Sequence, residues 1–162
     1  FLDTLLDWAY NRDYAMKIIP HLRQRVETLS DVADKAAFCF NGMPAINEAS
    51  FEHKQYGAED MKVWLQYLLW AYEARNDWNR DGLFADAKAI ADALEVKIKD
   101  FLFPAFVAIA GTSASFSVVD SMEIIGADLS RARLRNAIEV LGGVSKKQMK
   151  KLEKAYRDLP VG

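Results

Sequence analysis

The sequence has few of the residues that build disulfides, metal centres and nucleophilic active sites. Its single cysteine, Cys39, cannot form a disulfide within the chain, which is typical of a protein from a reducing cytosol. Cys39 also lies in the apolar run AAFCF, and this setting predicts a buried, unreactive thiol. The only histidines, His21 and His53, are far apart, and neither has a partner at metal-ligand spacing. We therefore expect no metal site and no cysteine nucleophile.

Membrane spans, secretory signals, phosphate loops and strands are also missing. The longest apolar run, residues 101–111, has about half the length that a bilayer requires, and it contains Pro104. A secretory signal has a basic segment followed by an apolar stretch, and the start of this sequence does not have that pattern. Gly142 and Gly143 lack the preceding strand that a phosphate-binding glycine loop needs, and no segment alternates like a strand. We expect a cytoplasmic protein, and the start at Phe1 predicts a piece of a longer one.

Almost every segment has the apolar spacing of an amphipathic α-helix, so the predicted fold class is all-α. The first helical stretch, residues 4–26, is expected to break at Pro20. The second is expected to begin at Thr28 or Ser30 and to end at Asn41-Gly42. The other predicted helices are 58–75, 83–97, 98–111, 117–125, 128–141 and 145–158.

Helix ends and a linker organise this pattern. Ser145 and Gln148 have the spacing of a capping box, and Ser117 with Asp120 has a similar spacing. Residues 43–57 mix Pro, Asn, Ser and Gly without periodicity, which predicts a linker. We therefore predict two small helical subdomains, 1–45 (incomplete at its N-terminal end) and 46–162, that together form an elongated helical region.

Charge and hydroxyl groups are distributed unevenly. Residues 1–130 hold 12 Lys and Arg against 20 Asp and Glu, whereas residues 131–157 hold nine against two. A basic C-terminal end on an acidic body suggests a surface that faces an anion, although a merely solvated lysine-rich helix is the alternative. The segment TSASFS, residues 112–117, has more small hydroxyl groups than a turn needs, which suggests a surface that receives a polar partner.

Two stretches carry a resemblance to a known family. Residues 18–32, IIPHLRQRVETLSDV, resemble the leucine, arginine and threonine stretch in the anticodon-binding region of bacterial-type glutamyl-tRNA synthetases, which are class I aminoacyl-tRNA synthetases. Residues 103–143 resemble the closing module of that family: an apolar helix, Ala-Leu-Thr-Gly, a hydroxyl-rich loop, a short helix ending in Leu-Gly, and an arginine-bearing helix. The spacing from Ala108 through Gly111 to Gly126 matches that module without a gap.

The resemblance implies the RNA-reading end of an enzyme that activates glutamate with ATP and attaches it to tRNA. In that family an N-terminal catalytic domain, which requires ATP and Mg²⁺, bears His-Ile-Gly-His and Lys-Met-Ser-Lys-Ser type signatures, and neither occurs here. We therefore expect a tRNA-binding fragment without a catalytic site, cofactor or membrane contact of its own. We also expect it to be monomeric and joined to the catalytic domain in one polypeptide.

By resemblance, the hydroxyl-rich loop approaches the second and third anticodon bases, which are unstacked and are read by hydrogen bonds and stacking. The loop residues so implicated are Thr112, Ser113, Ser115, Phe116 and Ser117. Phe116 has two interpretations: its ring stacks on a base, or it packs against Val119 or Met122. Many family members have Pro, then Gly or Pro, where this chain has Phe116-Ser117.

Arginines are the candidates for the first anticodon base. Arg25 is our first choice and Arg23 the second, because a guanidinium can donate two parallel bonds to a base edge or stack over it. The alternative for Arg25 is a surface ion pair with Glu27 or Asp31.

Phosphate contacts are predicted for cations near the C-terminal end. Arg131 and Arg135 lie four residues apart and share a helix face, whereas Arg133 points elsewhere. The final helix adds Lys146, Lys147, Lys150, Lys151, Lys154 and Arg157, whose contacts would be salt-sensitive and independent of sequence.

A second hypothesis treats the chain as a free-standing helical protein-interaction module derived from this fold without tRNA binding. The Phe116-Ser117 departure and the acidic body motivate it. It predicts a protein partner and no affinity for tRNA. An independent enzyme lacks any catalytic constellation in the sequence.

Overall fold

The computed structural model describes residues 12–23, 26–111 and 116–160. Within these ranges it consists of eight α-helices and one 3₁₀ turn, Glu48–Phe51, and it has no strand, which confirms the all-α prediction. The helices are α1 Arg12–Leu22, α2 Leu29–Phe40, α3 Ala58–Ala74, α4 Arg80–Ala93, α5 Ile98–Ala110, α6 Val118–Ile125, α7 Ala127–Val140 and α8 Lys146–Arg157.

Several helix ends form as the sequence predicts. Thr28 caps α2: its hydroxyl accepts from Asp31 N at 3.3 Å, and Asp31 Oδ2 accepts from Thr28 N at 2.9 Å. Ser145 and Gln148 make the matching pair of bonds at the start of α8, at 3.3 and 3.0 Å. These reciprocal bonds satisfy backbone donors that have no partner inside a helix.

Two other helix ends differ from expectation. α1 continues through Pro20 to Leu22, because a proline in the last turn removes only one backbone donor and the next turn still closes, with Arg23 N donating to Ile19 O at 3.0 Å. Ser117 precedes α6 but makes no side-chain capping bond; the Ser121 hydroxyl donates to the Ser117 carbonyl at 2.9 Å instead.

The nearly all-apolar α5 lies at the centre of the bundle. It contacts α2, α3, α4, α6 and α7. Its buried residues include Phe101, Ala105, Ala108 and Ile109, each no more than 1% exposed. The predicted apolar face of α3 is buried as well, through Met61, Trp64, Leu65, Leu68, Leu69 and Tyr72. Helix α3 packs most extensively on α7, so α3, α5 and α7 form the interior of the molecule.

The helices of the first predicted subdomain pack onto this interior. α1 and α2 contact each other, α1 also contacts α6, and α2 contacts both α5 and α6. Phe51, inside the predicted linker, is 4% exposed, and its 3₁₀ turn contacts α3 and α5. One hydrophobic cluster runs from Ile18 to Leu141. The division at residue 45 stays a prediction. None of the helices in the described ranges is long and apolar enough to cross a bilayer.

Candidate nucleic-acid interface

The hydroxyl-rich loop joins α5 to α6, and the structure describes the residues on both of its flanks. Thr112, Ser113 and Ser115 lie outside the described residues. Before them, Gly111 ends α5 with φ 75°, a left-handed conformation that favours glycine. A Cβ on Gly111 would also lie 3.1 Å from Pro44 Cβ. The backbone therefore enters the loop close against the segment that follows α2.

On the other flank, Phe116 is buried with only 1% of its surface exposed. Its ring stacks on His21 at 5.3 Å between centroids with an interplanar angle of 20°, and it lies at 5.3 Å from the Phe38 ring. Phe116 is thus packed in the core, with ring partners on α1 and α2; its contact with Val119 or Met122 stays a prediction. Base stacking by Phe116 stays a prediction, and it would require the ring to leave these partners.

A carboxylate just after the loop in the sequence joins three helices. Asp120, in the first turn of α6, accepts from Arg80 Nε of α4 at 2.7 Å. Its other oxygen lies 3.8 Å from His21 Nδ1 of α1. Ser117, the last predicted loop contact, is half-buried, and its carbonyl closes the first turn of α6. The C-terminal flank of the loop is therefore held by side chains from α1, α4 and α6.

An open cleft of about 340 Å³ lies beside the start of the loop. The ends of α2 and α5 line it: Asp34, Lys35, Phe38 and Asn41 on one side, and Ala110 and Gly111 on the other, with Pro44 and Arg133 between them. Because Thr112 follows Gly111 directly, the loop begins at the edge of this cleft. Its lining mixes carboxylate, ammonium, amide and apolar groups.

Arg133 fixes the geometry of the cleft. Its side chain is fully buried and donates to Phe38 O at 2.6 Å, to Ile109 O at 2.6 Å and to Gly42 O at 2.9 Å, as well as to Asn41 O. These carbonyls all lie at the C-terminal ends of α2 and α5, where partners within the helix run out. Burial lowers the pKa of Arg133, and the carbonyls supply the compensating polar contacts.

Sequence reasoning missed this role. It placed Arg133 on a different face from Arg131 and Arg135 but assigned it no partner. A usable signal was present, because Arg133 lies within the stripe Ser130, Leu134, Ala137 and Ile138, which is the buried face of α7. A charged residue in such a stripe needs polar acceptors across the core.

The two predicted phosphate-contacting arginines of α7 lie in different environments. Arg131 donates to Tyr72 O through Nε at 3.1 Å and through Nη2 at 2.6 Å, and its guanidinium lies 5.2 Å from the Trp78 ring centroid. Arg131 therefore supplies a hydrogen-bond donor to a backbone carbonyl in the last turn of α3. Arg135 is exposed and pairs with Glu73. Of the two, Arg135 presents more of its charge to solvent.

The candidates for the first anticodon base lie near the end of α1. Arg25 is outside the described residues, whereas Arg23 follows α1 and is exposed. Asp31, a predicted alternative partner of Arg25, is used as a cap. Hydrogen bonds from the backbone N–H groups of Thr28 and Glu27 hold the pKa of the Asp31 carboxyl below its usual 3.8.

The basic side chains of α8 are all exposed: Lys146, Lys147, Lys150, Lys151, Lys154 and Arg157. The inner side of α8 rests on α3 through Tyr156, and Lys151 also lines the small cavity between the two helices. The described contacts of the loop flanks are instead with α1, α2, α4 and Pro44. The lysine helix and the described flanks of the hydroxyl loop thus contact different helices. Within the described ranges, no group of His, Cys, Asp and Glu is arranged to hold a metal ion.

Comparison with known proteins assigns this bundle to a class. Residues 1–138 match the family described as the anticodon binding domain, and the chain belongs to that family. The chain is 91% identical over 162 residues to the glutamate–tRNA ligase of Alcanivorax borkumensis, covering 100% of this chain and 33% of that protein. It is 50% identical over 155 residues to the glutamate–tRNA ligase of Cellvibrio japonicus, covering 96% of this chain and 31% of that protein. The chain therefore spans about a third of the length of these relatives.

A solved structure has the same fold. The crystal structure of a glutamate tRNA ligase from Elizabethkingia meningosepticum superposes with a TM-score of 0.73 at 22% sequence identity, covering 86% of this chain and 28% of that chain. The resemblance drawn from residues 18–32 and 103–143 is confirmed at the level of the family.

Proposed function

We propose that this chain recognises the anticodon of glutamate-accepting tRNA as one part of a glutamate–tRNA ligase. The observation that supports this most strongly is 91% identity to such a ligase over all 162 residues. In this proposal a catalytic domain in the same polypeptide uses ATP and Mg²⁺ to attach glutamate, and this part needs no cofactor. The protein would act in the cytoplasm, and this part would be monomeric.

The cleft between the ends of α2 and α5 suits part of an unstacked nucleotide. Its volume, about 340 Å³, lies in the range of small-ligand sites, roughly 300–1,000 Å³. Gly111 lines the cleft and Thr112 follows it in the sequence. The hydroxyls of Thr112, Ser113 and Ser115 can both donate to and accept from a base. We propose that these hydroxyls read base edges while Arg133, from below, keeps the two walls of the cleft at a fixed separation.

Cationic side chains outside the cleft lining would add to this recognition. Arg25, or Arg23, is proposed to contact the first anticodon base, since a guanidinium can bond a base edge or stack over it. Arg135 and the α8 lysines are proposed to contact phosphates, because their side chains are exposed. Arg131 already donates to Tyr72 O, so a phosphate contact by Arg131 needs a separate test.

Binding to glutamate tRNA and to versions with single anticodon substitutions tests this function. We expect each recognised base to contribute about 1–3 kcal/mol of discrimination, which is roughly a 5- to 150-fold loss of affinity on substitution. Affinity should also fall as salt rises from about 50 to 200 mM. Equal, salt-independent affinity for all versions would refute the proposal. No RNA binding together with a protein partner would support the interaction-module hypothesis instead.

A further inference from the structure

We propose that α8 is a phosphate-binding arm for the RNA backbone, and that packing of Tyr156 on α3 holds its cations in a fixed array. Helix α8 begins at Lys146, beyond the residues 1–138 that match the anticodon-binding family, although the match to the Alcanivorax ligase extends over it. This inference rests on the proposed function, which already assigns phosphate contacts to the α8 lysines, and adds to it the residue that positions them.

The outer surface of α8 carries an uncompensated positive charge. Its five lysines and one arginine are all exposed, and Glu153 is the only acidic residue in the helix. None of these six cations forms an ion pair with a carboxylate among the described residues, in contrast to Arg135, Lys88 and Arg75. Cations three or four residues apart advance about 5–6 Å along a helix, so α8 presents them over about 18 Å.

The inner surface of α8 has only a small attachment to the molecule. No residue of α8 is fully buried. Leu152 and Tyr156 are half-buried against the core, and a cavity of about 160 Å³ remains between α8 and the start of α3. The Tyr156 ring makes the best-defined contacts, at 5.2 Å from the Tyr67 ring and 5.3 Å from the Trp70 ring. Tyr156 is therefore the principal point at which α8 is docked.

An RNA backbone fits this helix better than a membrane does. A helix that binds at a membrane surface needs a free apolar face, whereas the apolar side of α8 already faces α3. A row of ammonium groups suits successive phosphates, which lysine binds as point charges. A docked helix also presents its charges in one arrangement, so less conformational entropy is lost when RNA binds.

The critical variant removes the packing of α8 on α3 and leaves the charge of α8 unchanged. Tyr156→Ala keeps all six cations, and Tyr156→Phe is the matched control because it keeps the ring. We expect Tyr156→Ala to weaken binding to glutamate tRNA about 3- to 10-fold and to reduce the slope of log affinity against log salt by about 1–2. The loss should be equal for every anticodon-substituted tRNA. Tyr156→Phe should bind like the unaltered chain.

Two further measurements keep the result interpretable. Trypsin should cut within α8 faster in Tyr156→Ala, while the thermal unfolding of the remaining helices should change little. The double variant Lys147→Gln, Lys154→Gln should reduce the salt slope by about 1.5, because each phosphate contact contributes about 0.7–0.9.

Several outcomes would overturn the inference. Trypsin resistance of α8 in Tyr156→Ala would show that Tyr156 is not the dock. Faster cleavage with unchanged affinity and slope would show that docking does not matter for binding. An unchanged slope in the lysine double variant, or binding of an acidic protein instead of RNA, would exclude the phosphate surface. If anticodon substitutions have no effect on affinity while Tyr156→Ala still lowers the salt slope, recognition of the anticodon bases is refuted. The role of α8 in phosphate binding is then still supported.

Discussion

Three arginines at alternate positions of α7 have three different environments. Arg133 is buried among helix-terminal carbonyls, Arg131 donates to the end of α3, and Arg135 is exposed beside Glu73. A guanidinium carries five N–H donors, so each of the first two can satisfy several carbonyls at once. The same residue type therefore serves structure at two positions and is available to solvent at the third.

Arg133→Met should destabilise the protein strongly. It leaves the carbonyls of Phe38, Asn41 and Ile109 without the donor that satisfies them in the core. We expect the free energy of unfolding, measured in urea, to fall by about 3 kcal/mol or more. Arg135→Met is the control, and an exposed ion pair should cost less than about 1 kcal/mol. Equal losses in the two variants would contradict this role for Arg133.

Arg131→Gln should act on stability, and Arg135→Gln on RNA binding. The Arg131 guanidinium donates to Tyr72 O and lies on the Trp78 ring, so its loss should cost about 1–2 kcal/mol of unfolding free energy. Arg135→Gln should leave stability nearly unchanged and reduce the salt slope of tRNA binding by about 0.7–0.9. Urea unfolding and salt titrations of both variants check this. A reduced slope for Arg131→Gln with full stability would instead identify Arg131 as a phosphate contact.

At the scale of single elements, helix ends depend on local chemistry. Thr28 with Asp31 and Ser145 with Gln148 form reciprocal caps that the sequence predicts, because all of the bonding groups lie within four residues. The end of α1 and the start of α6 were harder to predict. Pro20 is tolerated in a last turn, and the Ser117 side chain does not reach its predicted donor.

Thr28→Ala should remove the cap of α2. We expect a loss of about 1 kcal/mol in the free energy of unfolding, because backbone donors in the first turn lose their acceptor. Thr28→Ser is the matched control, since it keeps the hydroxyl. Urea unfolding measures the free energy of unfolding of both variants. The Asp31 part of this cap is present above the usual carboxyl pKa of 3.8 and should weaken as pH falls below it. A serine variant as unstable as the alanine variant would argue against a capping role.

At the scale of the whole molecule, helices from both predicted subdomains carry a thiol or a phenol whose pKa is raised by burial. Burial raises the pKa of the Cys39 thiol of α2 to about 12, from a usual value of 9.0. Burial also raises the pKa of Tyr14 in α1, whose hydroxyl donates to Cys39 O at 2.8 Å, and that of Tyr72 in α3. These groups lie on three helices, so in alkali the unfolding of the bundle returns all three to their usual pKa values and lets them ionise.

The protein should therefore lose stability in alkali. Below pH 9 both folded and unfolded chains hold the Cys39 proton, and its stabilising contribution is complete. Above pH 9 the unfolded chain releases that proton while the folded chain retains it, so the free energy of unfolding falls by up to about 1.4 kcal/mol per pH unit. Tyr14 and Tyr72 add to the fall above their usual 10.0.

Urea unfolding at pH 7, 9, 10 and 11 measures this fall, and Cys39→Ala should flatten the part between pH 9 and 10. Constant stability from pH 8 to 11 would contradict the burial of these groups. The Cys39 thiol should also resist a thiol reagent near pH 8 until the chain is unfolded.

The sequence alone determined the helices, most of their ends, the family and the separation of charge. These properties depend on residues that are close along the chain: the period of the apolar positions in α3, the caps at Thr28 and Ser145, and the glycine spacing from Gly111 to Gly126. The exposed lysines of α8 were also predictable, because a helix with so few apolar positions cannot be buried.

Only the tertiary structure decided which candidate side chains are available to a ligand. The Phe116 ring packs on His21 and Phe38, and the acceptors of Arg133 include Phe38 O, 95 residues earlier in the chain, and Ile109 O, 24 residues earlier. No local pattern encodes such partners, because they are brought together by helices that meet only when the core forms. Burial and hydrogen-bond partners are properties of the packed bundle, whereas helix periodicity and capping are properties of the segment.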